Sequence, residues 1–189
     1  MKIRPSIHPG AVTLEVNRFD TELLAQPAKE PLAIHKILVP VDFSPFSYKS
    51  IDYASAFALQ SNAQIMLLHV VPLNYTDAEF IAFDSAELEK QAADAAKVHL
   101  DQLATERVDP ELTIQTRVVV GRSVDWIVKA AEELEADLII MSTHGYTGFK
   151  HAFLGSTTEN VVRYAPCPVL TLRQREHDFV CSRAEKDNA

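Results

Sequence analysis

Apolar residues fall along this chain in short, nearly continuous runs, separated by longer stretches with helical spacing. Lys36-Ile-Leu-Val-Pro-Val41 and Ala63-Gln-Ile-Met-Leu-Leu-His-Val-Val71 are runs of the kind expected of strands covered on both faces. Leu112-Thr-Ile-Gln-Thr-Arg-Val-Val-Val120 begins as an alternation and becomes wholly apolar. Ala136-Asp-Leu-Ile-Ile-Met141 and Pro168-Val-Leu-Thr-Leu172 bring the predicted strands to five. Between the first two runs, Ser44-Pro45 signals a helix start with proline at the first helical position. Ile51, Ala54 and Ala58 continue that helix as an apolar stripe with Phe57 beside it, and it should end near Asn62. From Asp77 to about Glu106 the chain is rich in Ala, Glu, Leu and Lys and predicts one long or interrupted helix. Gly121-Arg-Ser123 opens another through Leu134, with Ser123 as N-cap and a stripe of Trp126 or Ile127, Ala130, Ala131 and Leu134. Ser156 and Glu159 have the S-x-x-E spacing of a capping box for a last helix through Ala165.

Strands alternating with helices predict an α/β fold, an open doubly wound five-stranded parallel sheet with helices on both faces. Right-handed crossovers leave few topologies. In such sheets ligands bind beyond the carboxyl ends of the strands, where strand order reverses. Asp42, Val70, Gly121 and the Ser142–Ser156 loop all lie at or just after a predicted strand end, so four loops should converge on one crevice. Residues 1–34 differ in character from the rest of the chain. They carry Pro5, Pro9, Pro27 and Pro31, and their one periodic piece, Val12-Thr-Leu14-Glu-Val16, could form an edge strand. We assign 1–34 to a partly ordered extension ending in a linker at Gln26–Pro31, 35–173 to the α/β domain, and 174–189 to a polar, frayed tail.

Composition narrows the function classes. A chain of 189 residues, 47% hydrophobic and 23% charged, suits one soluble domain with a sizeable core. A net charge of −8 argues against a general nucleic-acid binder. No apolar run approaches the ~20 residues needed to cross a bilayer, and Met-Lys-Ile-Arg-Pro-Ser-Ile-His has no signal-peptide core. Cys167 and Cys181 flank the last strand without metal-ligand spacing, which fits reduced thiols in a cytoplasmic protein.

The chemistry concentrates in Ser142-Thr-His-Gly145, followed after nine residues by Gly155-Ser156-Thr157-Thr158-Glu159. This is a strand-to-helix connection. Small residues there let the backbone approach a phosphate, and the helix start favours negative charge. The alternative is that Ser156 only caps and the glycines only turn the chain. Of the neighbours, His144 suits loop support better than a base, because no acid or nucleophile stands at a telling spacing. Lys150 and His151 could approach phosphate or face solvent, and Tyr146 and Phe149 could cover the loop or pack. His69 is expected to be a satisfied core histidine and Trp126 a packing residue. With no Walker lysine, no G-x-S-x-G elbow, no zinc-spaced His/Cys set and no base beside the loop, binding without robust turnover is the expectation.

From about His35 to Arg173 the chain resembles the universal stress protein family. The resemblance rests on Ile37-Leu-Val-Pro-Val-Asp-Phe-Ser44, Leu67-Leu-His-Val70, Ile139-Ile-Met-Ser-Thr-His-Gly145, and Gly155-Ser-Thr-Thr-Glu-Asn-Val-Val162 with Ala165-Pro-Cys-Pro-Val-Leu170. It implies strand order 3-2-1-4-5 and a G-x2-G-x9-G-[S/T] loop, of which Gly145, the spacing, Gly155 and Ser156 match. Ser142 stands at the first glycine, where a Cβ can obstruct close backbone approach or a positive φ. By the same resemblance Asp42 would contact the nucleoside, and the Val70 backbone would meet the adenine edge. Gly145, Gly155, Ser156 and Thr157 or Thr158 would cradle phosphate. Gly121, Ser142 and His144 complete the candidate set. The implied ligand is ATP, with Mg²⁺ arriving on the phosphates rather than in a protein cage. The implied role is a stress or regulatory module with little or no ATP turnover that acts on an unidentified protein partner. The alternatives are a nucleotide-free dimerisation module and a weak ATPase. A homodimer through the last strand, 168–172, is also implied, since a sheet edge presents unpaired backbone groups.

Overall fold

The computed structural model describes residues 2–5, 12–15, 33–72, 85–143, 155–173, 178 and 180. The chain divides into two units, Met1–Ala33 and Ile34–Ala189. In the first, β1 (Lys2–Pro5) and β2 (Val12–Glu15) pair antiparallel, with Ile3 opposite Leu14. Only the second of these strands was legible as a pattern. Lys-Ile-Arg-Pro has no alternation and ends in proline, and it acquires its strand by pairing.

In the second unit the five apolar runs become β3 (Lys36–Pro40), β4 (Gln64–Val71), β5 (Ile114–Val120), β6 (Leu138–Ser142) and β7 (Val169–Leu172). They form one parallel sheet of order β5-β4-β3-β6-β7, which is 3-2-1-4-5 when counted within this unit. The helices are α1 (Pro45–Ser61), α2 (Ser85–Arg107), α3 (Ser123–Leu134) and α4 (Ser156–Tyr164). Residues 77–84, assigned to helix from the sequence, lie outside the described residues.

Strand alternation divides the core between the two faces. Ile37, Val39, Ile65 and Leu67 pack with Ile51 and Ala54 of α1 and with Leu100 and Leu103 of α2. Leu38, Leu68 and Ile139 pack with Ile127, Ala130 and Ala131 of α3 and with Val161 of α4. Each fully buried Ile or Leu contributes about 1.5–3 kcal/mol, so β3, buried on both faces, is the strand that anchors the sheet. Its start is fixed by Asp137, whose Oδ2 accepts the N–H groups of His35 (2.7 Å) and Lys36 (2.9 Å).

Helix α1 follows its sequence signals. Ser44 caps it, accepting the Ser47 N–H on its hydroxyl at 3.2 Å, Pro45 opens it, and Asn62 closes it in the left-handed region. The other two helix starts differ from expectation. The Gly155 carbonyl accepts the Glu159 N–H at 2.9 Å, so Gly155 is the N-cap of α4 and Ser156 is already inside the helix. The capping box does not form, and Glu159 pairs instead with Arg163 at 3.3 Å. Likewise Arg122, not Ser123, caps α3, because its carbonyl accepts the Trp126 N–H. Part of the stretch assigned to the polar tail is docked on α1. Asp178 accepts the Tyr53 hydroxyl at 3.0 Å and pairs with Lys49 at 2.6 Å, and Val180 packs on the α1 side of the core.

Candidate functional site

The chain leaves β3 towards β4 and β5, then returns to add β6 and β7 on the other side, so strand order reverses between β3 and β6. A cleft of about 410 Å³ opens at the carboxyl ends of β3, β4 and β6, bounded by the first turns of α3 and α4. This is where the doubly wound topology puts a ligand crevice. Asp42, Val70, Ser142, Gly155, Ser156, Thr157 and Thr158 all line it. Gly121 does not; its helix contributes Ser123 and Ile127 instead. His144 and Gly145 lie outside the described residues, as do Tyr146, Phe149, Lys150 and His151.

The end of the cleft nearest α4 is built on close backbone approach. The Gly155 N–H donates to the Thr143 carbonyl at 2.9 Å, and a Cβ on Gly155 would stand 3.0 Å from the same oxygen. Its φ of −65° is ordinary, so proximity, not conformation, calls for glycine here. Thr158 is buried and donates its hydroxyl to the Ser142 carbonyl at 3.0 Å, tying the helix start to the end of β6. The neighbouring hydroxyls of Ser156 and Thr157 are less covered. The first turn of any helix presents N–H groups without an acceptor one turn back, which makes this end suited to an anion. Ser142 is paired with Leu172 as a strand residue and is not among the positive-φ positions, so serine fits the backbone there without strain.

The opposite end is organised by the loop after β3. Asp42 accepts both the N–H and the hydroxyl of Ser44 on Oδ1, at 3.0 and 2.5 Å. Between them Phe43 adopts φ 60°, a left-handed conformation that costs an aromatic residue about 1–2 kcal/mol. Its ring lies 4.2 Å from that of His69 and 4.3 Å from that of His99 on α2. Aromatic contacts of this kind contribute about 0.5–1.5 kcal/mol each, enough to offset the backbone term. His69 Nδ1 is 2.7 Å from the Val41 carbonyl. A carbonyl only accepts, so the proton sits on Nδ1. Burial pushes the His69 pKa below its ordinary 6.5, against the opposing effects of the Val41 carbonyl and the Asp42 carboxylate.

His69 was expected to be a satisfied histidine, and its Nδ1 is hydrogen-bonded. Its place in the cleft wall was not foreseen, nor were those of Thr143, Ser123 and Ile127. For Ser123 and Ile127, spaced four apart at a helix start beyond a strand end, the pattern held a usable signal.

A parallel sheet wound both ways from its central strand, with a cleft at the reversal, defines a doubly wound α/β protein. The family model described as "Universal stress protein family" matches residues 33–173. The chain belongs to the universal stress protein family. It is similar to Universal stress protein MJ0577 of Methanocaldococcus jannaschii, 31% identical over 158 residues that cover 74% of this chain and 95% of the relative. The solved structure of MJ0577 superposes with a TM-score of 0.69, covering 77% of this chain and all of the other. UspA from Lactobacillus plantarum superposes at 0.63 with 28% identity, covering 74% and 98% of the two chains. A universal stress protein solved in complex with cAMP superposes at 0.56 with 27% identity, covering 76% and 99%.

Proposed function

We propose that this protein is an adenine-nucleotide-binding regulatory module with little or no turnover. The observation that carries this reading is the pairing of two unlike ends in one cleft, a carboxylate with strand-end backbone at Asp42 and Val70, and a helix start at Gly155–Thr158. Asp42 would accept sugar hydroxyls, the Val70 backbone would read the adenine edge, and the α4 start would hold phosphate with Ser156 and Thr157. Gly145 and His144 would complete the phosphate loop, Thr158 would brace it from beneath, and Ser142 would shape the cleft wall. The relative solved with cAMP supports the ligand class. ATP is the proposed ligand, with Mg²⁺ carried on its phosphates. Among the described residues no Lys or Arg lines the cleft. Phosphoryl transfer depends on such charge stabilisation and on a positioned water, so slow hydrolysis at most is expected. We further propose a homodimer in which the outer edge of β7 pairs with a second copy, leaving nucleotide occupancy to alter the surface a partner protein meets.

The test begins with the purified, untreated protein. Small molecules released by denaturation are identified by chromatography and mass, and the stripped protein is titrated with ATP and Mg²⁺. Stoichiometric nucleotide or micromolar binding that disappears in Gly155→Val supports the proposal. No nucleotide, and no binding up to millimolar ATP, would leave a dimeric interaction module instead. Sedimentation as a monomer at tens of micromolar would overturn the dimer.

A further inference from the structure

Asp42 is held by its neighbours on both sides, and His69 reaches both of them. Behind Asp42, β4 grips the Val41 backbone at two points, on the N–H and on the carbonyl. The Val41 N–H donates to the Leu68 carbonyl at 2.8 Å, and the Val41 carbonyl accepts His69 Nδ1–H at 2.7 Å. Ahead of it, Phe43 is turned to φ 60° and rests against the His69 ring at 4.2 Å, with His99 stacked on it as well at 4.3 Å. An aromatic residue does not keep a left-handed conformation unless its surroundings enforce it. The ring contacts of Phe43 supply that enforcement, and the Nδ1 bond supplies direction. An apolar residue at position 69 could fill the same space but could not tether the Val41 carbonyl.

We propose that His69 is a positioning residue for sugar recognition. Through its bond to the Val41 carbonyl and its stack on Phe43, it holds Asp42 at the cleft and so sets the preference for ribonucleotides over deoxynucleotides. This rests on the nucleotide-binding reading above, in which Asp42 accepts the sugar hydroxyls. The role belongs to Nδ1, not to a contact between ligand and Nε2, and the two nitrogens can be separated by substitution. An Asn amide reaches the place of Nδ1, and a Gln amide reaches that of Nε2.

The experiment titrates the stripped, full-length protein with ATP, 2′-deoxyATP and 3′-deoxyATP, for the wild type and for Asp42→Ala, His69→Leu, His69→Asn and His69→Gln. Wild type should prefer ATP over at least one analogue, and Asp42→Ala should remove that preference. His69→Leu should weaken ATP binding roughly tenfold, the worth of about one hydrogen bond to a charged group, and should leave the deoxy analogue nearly unchanged. His69→Asn should restore the preference, and His69→Gln should not. Wild-type preference retained in His69→Leu, or restored by Gln and not Asn, overturns the positioning role while leaving the nucleotide reading intact. Failure of the wild type to bind brings down the nucleotide reading and this inference with it, whereas an unchanged preference in Asp42→Ala overturns this inference alone, because nucleotide binding would stand without the Asp42 sugar contact. If His69→Leu does not give a cooperative thermal melt, the Asn and Gln variants, both polar at that position, decide the question.

Discussion

Gly121→Ala is the substitution whose cost the structure fixes most directly. Gly121 has φ 151° and donates its N–H to the Val71 carbonyl at 2.9 Å. A Cβ there would fall within the indole of Trp126. The indole cannot swing aside freely, because its Nε1 donates to the Val120 carbonyl at 2.9 Å and Lys129 Nζ sits 4.6 Å over the ring. A positive φ imposed on alanine and an over-packed contact each cost about 1–3 kcal/mol, for a combined loss of about 2–5 kcal/mol. For a domain of this size that lowers Tm by about 5–15 °C. Circular dichroism melts followed in parallel by fluorescence of Trp126, the single tryptophan in the chain, measure the loss and place it. The double substitution Gly121→Ala/Trp126→Ala separates the two causes, because removing the indole relieves the contact but not the backbone. Its cost should fall short of the summed single costs by about 1–3 kcal/mol. Gly155→Ala serves as the contrast. Its φ is ordinary, so no backbone strain is added, and the cost comes from the Cβ set 3.0 Å from the Thr143 carbonyl, about 1–2 kcal/mol and below that of Gly121→Ala. If Gly121→Ala melts within about 2 °C of the wild type, the reasoning from φ and indole contact is wrong.

Burial lowers the His69 pKa from 6.5, so between the lowered value and 6.5 the unfolded chain binds more protons than the folded one. Stability should therefore rise with pH through that window and decline as pH falls below about 6.5. Urea midpoints measured across it should show a shallower slope in His69→Asn, and equal slopes would contradict the assignment. Asp137→Ala removes the acceptor for two backbone N–H groups at the start of β3 and should cost about 1–3 kcal/mol, seen as a lower urea midpoint at unchanged m, with Asp137→Asn between it and the wild type. Asp178→Ala takes an acceptor from the buried Tyr53 hydroxyl and should cost about 1 kcal/mol while speeding proteolysis after Arg173. Unchanged cleavage there would mean that the docked tail contributes nothing.

The sheet was legible because its inner strands β3, β4 and β6 are buried on both faces and appear as blocks of Ile, Leu and Val that no surface helix could carry, while the edge strand β5 showed itself by an alternation that turns apolar. The β3–α1 junction was legible for a different reason. Ser44, Pro45 and Asn62 each satisfy a backbone requirement through their own chemistry, whatever surrounds them. The helix starts at α3 and α4 were misplaced by one residue because tertiary contacts decide them. Gly155 is drawn against the Thr143 carbonyl, and Gly121 turns under Trp126, so the caps fall where the chain is pinned and not at the nearest serine. Of the candidate site, the residues at strand ends could be placed by topology alone. Gly121 was misassigned to the cleft because being near a strand end does not say which way a turn faces. The clamp of His69 on Val41 and Phe43 combines a hydrogen bond between residues 28 apart with a tilted ring contact, and no local pattern encodes that.

The Asp137 clasp and the β3–β6 pairing join segments about a hundred residues apart, and this affects how the protein comes into being. At a synthesis rate of roughly 5–20 residues per second, β3 emerges on the order of 5–20 s before β6 exists to cover its second edge. During that interval β4 can protect one side, while the apolar central strand of the domain has its other edge open to any passing β-strand. Such delayed pairing slows folding and invites aggregation. Newly made chains of this protein should therefore depend on holding chaperones until β6 has left the ribosome, and much less once Asp137 has closed on Lys36.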